Sequence, residues 1–134
     1  MKTSFKIKVA SIISKLIILF LNEKEIKVKR NNLYWNLNLN EAIDLSIYLT
    51  GKFEPQIFKT IKKLSKKSNC DYIDIGANCG VHSIYLAHEF TNSKVIAIEP
   101  TNYSFNKLLK NIDSNPILKN NIVPIQAFLS NSKN

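Results

Sequence analysis

The stretch Asp71–Pro100, DYIDIGANCGVHSIYLAHEFTNSKVIAIEP, constrains the fold more than any other part of these 134 residues. A short apolar run, Tyr72–Ile75, leads through Asp74 into a spaced glycine pair, Gly76 and Gly80. A helical pattern follows from Val81 to Phe90, and a second apolar run, Lys94–Glu99, closes on Glu99-Pro100. Strand, tight loop, helix and a strand ending in an acid form the unit with which an α/β sheet builds a nucleoside pocket. The unbroken apolar run before Glu99 predicts a strand buried on both faces.

The charges around the loop narrow the ligand. A dinucleotide fingerprint needs glycines because the backbone must approach a pyrophosphate closely. Here Asn78 holds the middle glycine position and Val81 the third, and the Asp74 carboxylate would repel phosphates. The same carboxylate suits a ligand that brings a cation to the loop. S-adenosylmethionine does so, with an ammonium and a sulfonium and no phosphate. Glu99, at the next strand's end, is placed to accept hydrogen bonds from both ribose hydroxyls. Each of these residues also has a plainer role: Asp74 can cap the following helix, and Asn78 can supply a left-handed backbone conformation. His82, in the first turn of that helix, is a candidate general base. The helix dipole disfavours its protonation there, and His88 is further from the loop.

The formal charge of +9 lies wholly upstream of this motif. Residues 1–69 hold 14 Lys+Arg against 5 Asp+Glu, whereas residues 70–134 hold 5 of each. Arg30 is the sole arginine, and arginine is the residue expected where phosphates or base edges are read bidentately. Nucleic-acid binding is therefore not expected. Cys70 and Cys79 flank a strand at a spacing that suits neither a zinc pair nor a disulfide, so reduced thiols and a cytoplasmic location are expected.

The upstream half reads as helix, hairpin and two further helices. Residues 4–21 are apolar around a narrow stripe of Ser4, Lys8, Ser11 and Lys15. The apolar run is too short to span a bilayer, for which about 20 residues are needed. Lys2, Lys6 and Lys8 resemble the basic start of a signal peptide, but no small-residue cleavage site follows. A helix packed on the domain, a helix lying on an anionic membrane surface and a signal or anchor remain open. Glu25–Arg30 and Leu33–Leu39 alternate as strands about Asn31-Asn32, predicting a hairpin with Trp35 in the core. Asn40 can cap a helix through Leu49 that Gly51 breaks, and Glu54-Pro55 opens another to about Lys67. In that helix Ile57, Phe58, Ile61 and Leu64 form the stripe expected to be buried. Lys59, Lys62, Lys63, Lys66 and Lys67 form a solvated face. The Ser68-Asn69 loop then enters the first parallel strand. Downstream, Phe105, Leu108, Leu109 and Ile112 mark a helix that Ser114-Asn115-Pro116 ends. Ile122–Leu129 is a third strand, which Pro124 assigns to an edge or a bulge.

DIGANCG followed by VIAIEP, with Phe105, Leu108, Asn111-Ile112 and Asn115 downstream, resembles the FkbM family of methyltransferases. IYLTGKFEP at Ile47–Pro55, after the Trp35 strand, resembles that family too, so the match runs from about Leu33 to Ser130. The resemblance implies an S-adenosylmethionine-dependent O-methyltransferase acting on a hydroxyl of a sugar or other small natural product. By position, Asp74, Gly76, Asn78 and Gly80 would line the methionine end of the cofactor and Glu99 would hold the ribose. Glu54 matches the family's acid ahead of the loop and is placed near the cofactor.

The expected architecture is α/β, a Rossmann-like class I methyltransferase sheet of which only the first half is present. It has three parallel strands, a β-hairpin and helices. The segments are residues 1–24 (amphipathic helix), 25–69 (hairpin and helical lead-in) and 70–134 (partial Rossmann-like domain). Seven strands are usual for such a sheet, so a truncated reading frame, or a sheet completed by a partner, is expected. The part that would position the acceptor is not recognisable.

Overall fold

The computed structural model describes residues 3–65 and 70–131, with side chains from Lys8 onward. The expectations for Lys2, Lys66, Lys67, the side chains of Ser4 and Lys6 and the Ser68-Asn69 loop fall outside what is described. The chain divides into two compact units, Met1–Phe53 and Glu54–Asn134. The anticipated helical lead-in is thereby shared between them.

In the first unit, helix α1 (Thr3–Leu21) precedes an antiparallel hairpin of β1 (Glu25–Arg30) and β2 (Leu33–Asn38). Asn31 and Asn32 both take positive φ, 51° and 62°, as a two-residue turn matched to the strand twist requires. Period-2 alternation puts Leu33, Trp35 and Leu37 on the buried face. Helix α2 (Ala42–Thr50) covers that hairpin, burying Leu45 and Ile47, and Arg30 Nε donates to the Tyr48 carbonyl at 2.8 Å. The expected Asn40 cap is corrected: Glu41 is the N-cap and makes no side-chain cap bond. The Asn40 amide is taken up by Asn38 Oδ1, which draws that residue into the preceding turn. Gly51 does end α2, at φ 68°, and its N–H reaches the Ile47 carbonyl.

In the second unit, Pro55 opens helix α3 (Pro55–Leu64). Strands β3 (Tyr72–Ile75), β4 (Val95–Ile98) and β5 (Ile122–Ile125) form a parallel sheet in the order β3-β4-β5. Helix α4 (Val81–Glu89) links the first two strands. Helix α5 (Asn102–Asp113) and a 3₁₀ turn, Pro116–Asn121, link the last two. Register places Asp74 beside Ala97 and Ala97 beside Pro124, and the strand order puts Pro124 on an edge strand, as its missing N–H demands.

Three expectations change. The α3 stripe is not buried: Ile57 and Leu64 are exposed. Phe58 and Lys62, one turn apart, instead meet Tyr85 (ring centroids 5.9 Å apart) and Glu89 of α4. The third strand stops at Ile125, where its carbonyl accepts from Glu99 N, and Phe128 and Leu129 lie exposed beyond it. Finally, β4 is fully buried on one face only. Val95 and Ala97 lie under α4, while on the opposite face Ile73 and Ile75 of β3 are 65% and 66% exposed. No helix among the described residues is long and apolar enough to cross a membrane.

Candidate functional site

Parallel register brings the carboxyl ends of β3 and β4 together, and with them every residue of the DIGANCG loop and Glu99. The loop turns through three left-handed positions, Gly76 (φ 78°), Asn78 (φ 49°) and Gly80 (φ 84°). Asparagine tolerates that conformation better than other side chains, because its amide bonds locally. Here Asn78 Oδ1 accepts from Cys79 N at 2.7 Å.

The five backbone N–H groups of the loop are all used within the protein. Gly76 N and Ala77 N donate to the Ile98 carbonyl at 2.8 and 3.0 Å, and Gly80 N to Ala77 O at 2.8 Å. Asn78 N donates to Glu99 Oε2 at 3.0 Å, and Cys79 N to the Asn78 side chain. A phosphate-binding loop works by turning such donors outward. This loop turns them inward, so it is not built to cradle a pyrophosphate.

Glu99 is the hinge of that arrangement. Only 6% exposed, it accepts from Asn78 through Oε2 and from Thr101 N and Oγ through Oε1, at 3.0 and 2.6 Å. Burial alone would push its pKa up. The Thr101 and Asn78 hydrogen bonds together outweigh burial and hold the carboxyl below its ordinary range. It is an ionised carboxylate at the strand end. With two donors already on Oε1, the acceptor capacity left for a ligand lies chiefly on Oε2.

The two glycines have different reasons. A Cβ at Gly80 would stand 2.5 Å from Leu108 Cδ1, so that glycine lets α4 pack against α5. A Cβ at Gly76 would meet nothing within 4 Å, so open space adjoins the backbone there. Asp74 lies between roles: its Oδ2 accepts from Ser83 Oγ at 2.6 Å, tying β3 to the first turn of α4. Glu54 and His82, 28 positions apart, come together with Oε2 and Nε2 at 3.4 Å. Glu54 holds φ 46° at the N-cap of α3, a conformation that costs of order 1–3 kcal/mol for a non-glycine residue.

Sequence reasoning did not anticipate the supports. Ser83 and Thr101 carry no motif, and Asn111, quoted only for the family resemblance, braces the loop by donating from Nδ2 to the Cys79 carbonyl at 2.9 Å. Asn115 in turn donates to the Asn111 carbonyl. The Cys79 side chain is buried in the loop and neither cysteine is in a disulfide.

No protein-family model matches the chain. The methyltransferase sdnD of Sordaria araneosa is 33% identical to it over 101 residues, 70% of this chain and 39% of the relative. The chain thus spans about two fifths of that relative's length. Among solved structures, M. jannaschii TYW2 in complex with AdoMet superposes with a TM-score of 0.52 at 25% identity, over 78% of this chain and 44% of that one. The METTL16 methyltransferase domain gives 0.53 at 21% identity, over 71% and 36%. P. horikoshii TYW2 in complex with MeSAdo gives 0.55 at 19% identity, over 94% and 50%. The glycine loop, the parallel sheet and the crossover helices of this chain form the Rossmann-like fold of S-adenosylmethionine-dependent methyltransferases.

Proposed function

We propose that this chain binds S-adenosylmethionine at the DIGANCG loop and belongs to an FkbM-type O-methyltransferase acting on a hydroxyl of a sugar or other small natural product. The carrying observation is the inward use of all five loop amides beside an ionised Glu99. The Gly76–Gly80 amides offer a phosphate no donors, whereas S-adenosylmethionine carries no phosphate and asks none of them. The neighbour in complex with AdoMet and the methyltransferase relative support the S-adenosylmethionine part of that reading.

The chain's residues fit that ligand. The remaining acceptor capacity of Glu99 Oε2 suits a ribose hydroxyl. The space at Gly76 admits a group against the backbone. The half-buried Asp74 carboxylate gives the loop a negative potential that favours a cation. The N-terminal turn of α4 favours the ligand's carboxylate. When bound, the cofactor supplies an electrophilic methyl on sulfur. The protein's task is then to hold the acceptor oxygen in line with that bond and to remove its proton. His82, whose Nε2 lies 3.4 Å from Glu54 Oε2, is the group proposed for the second task.

Calorimetric titration with S-adenosylmethionine and with NAD tests the cofactor. Saturable binding of S-adenosylmethionine alone is expected, and Glu99→Ala should weaken it by ~1.5–3 kcal/mol, typical of a charged acceptor. Saturable binding of NAD alone would overturn the reading. Release of S-adenosylhomocysteine with hydroxyl acceptors separates an enzyme from a module that binds the cofactor and turns nothing over.

A further inference from the structure

Helix α1 leaves an apolar stripe in solvent. Its Ser14 is buried and donates to the Leu39 carbonyl at 2.7 Å. Meanwhile Val9, Ile12, Leu16, Leu19 and Phe20 all face solvent, Leu19 at 79% and Phe20 at 88% exposure. At 3.6 residues per turn these five fall within about 100° of arc, a continuous apolar stripe along the helix. Lys8 and Lys15, both exposed, run along one margin of the stripe. No acid occurs before Glu23, and residues 1–53 hold nine Lys+Arg against four Asp+Glu.

We propose that this stripe docks the chain on the surface of an anionic phospholipid bilayer. An apolar stripe about 100° wide with cations on its margin matches the two layers of such a surface. The side chains of Ile12, Leu16, Leu19 and Phe20 enter the acyl boundary, and the Lys8 and Lys15 ammonium groups stay at the headgroup phosphates. The helix lies in the plane, because Lys15 interrupts it and no described helix is apolar and long enough to cross. Charge complementarity favours lipid over a second copy of the chain: two stripes packed antiparallel would bring the Lys8 and Lys15 margins together, whereas an anionic surface neutralises them.

Cosedimentation of the full chain with vesicles tests this. Binding to phosphatidylcholine vesicles containing about 30 mol% phosphatidylglycerol should exceed binding to pure phosphatidylcholine by roughly tenfold or more, and should weaken in high salt. Leu16→Glu with Leu19→Glu should abolish it. Phe20→Ser should weaken it, and Lys8→Glu with Lys15→Glu should erase the preference for anionic lipid. Leu49→Glu, an exposed position on α2, should leave binding unchanged, and circular dichroism checks the fold of each variant. Equal binding to both vesicles, or insensitivity to the stripe substitutions, would overturn the proposal. So would a lipid-free dimer in sedimentation equilibrium that Leu16→Glu with Leu19→Glu dissociates, since it would assign the stripe to a second copy.

Discussion

Gly76 and Gly80 sit four residues apart in one loop and both hold positive φ, yet alanine at the two should do different things. Gly80→Ala drives a methyl into Leu108 as well as straining the backbone, and should cost ~2–4 kcal/mol in a urea melt. Gly76→Ala meets open space and should cost only ~1 kcal/mol while lowering cofactor affinity. The glycines were legible in the sequence; the difference between them was not, because Leu108 lies 28 positions from Gly80 and only packing joins them. Asp74 and Glu99 were likewise legible by position, but their partners Ser83 and Thr101 were not. A hydroxyl that steadies a carboxylate leaves no spacing rule behind. Glu99 also sets a pH dependence. Its folded-state pKa lies below its ordinary value of about 4.5. The stability it contributes is therefore present above that value and lost as pH falls through the folded-state pKa. Glu99→Gln should cost ~1–3 kcal/mol at neutral pH by setting an amide donor against Thr101 or Asn78. That gap between variant and wild type should narrow as urea melts are repeated at falling pH below about 4.5.

Among elements, those with strong local signals follow the sequence closely. The hairpin does so because Asn31-Asn32 can take the two positive φ angles that its turn needs. Asn32→Gly should stabilise the chain by ~0.5–1 kcal/mol, and Asn32→Val should destabilise it by ~1–2 kcal/mol, in thermal or urea unfolding. If both changes were neutral, the turn would not be what sets the register. Elements whose pattern needed a partner behave differently. The α3 stripe has the spacing of a buried face, but Phe58 and Lys62 meet α4 and leave Ile57 and Leu64 exposed. Periodicity reports what a helix could bury and says nothing of what is there to cover it. The β5 strand was overestimated for a related reason: Ala127–Leu129 are apolar enough, but their backbone pairs with no strand among the described residues.

For the whole molecule, the two units divide the chemistry. The first, with nine Lys+Arg against four Asp+Glu, carries the exposed α1 stripe; the second holds the loop site, and its own excess of ten over six lies wholly before Cys70. The change in charge falls at Cys70 and not at that division, but the βαβ grammar made the second unit's sheet visible. The one-sided burial of β4 was not foreseen, since its unbroken apolar run implies two covered faces. The central claim is that S-adenosylmethionine is recognised by the loop that Glu99 ties to β4. Amide NMR of the labelled chain titrated with S-adenosylmethionine tests it at every position at once. Saturable shifts should concentrate at Gly76–Ser83 and Glu99–Thr101, with the Asn78 amide among the largest because its bond to Glu99 must adjust. Saturable shifts elsewhere, with those two segments unmoved, would contradict it.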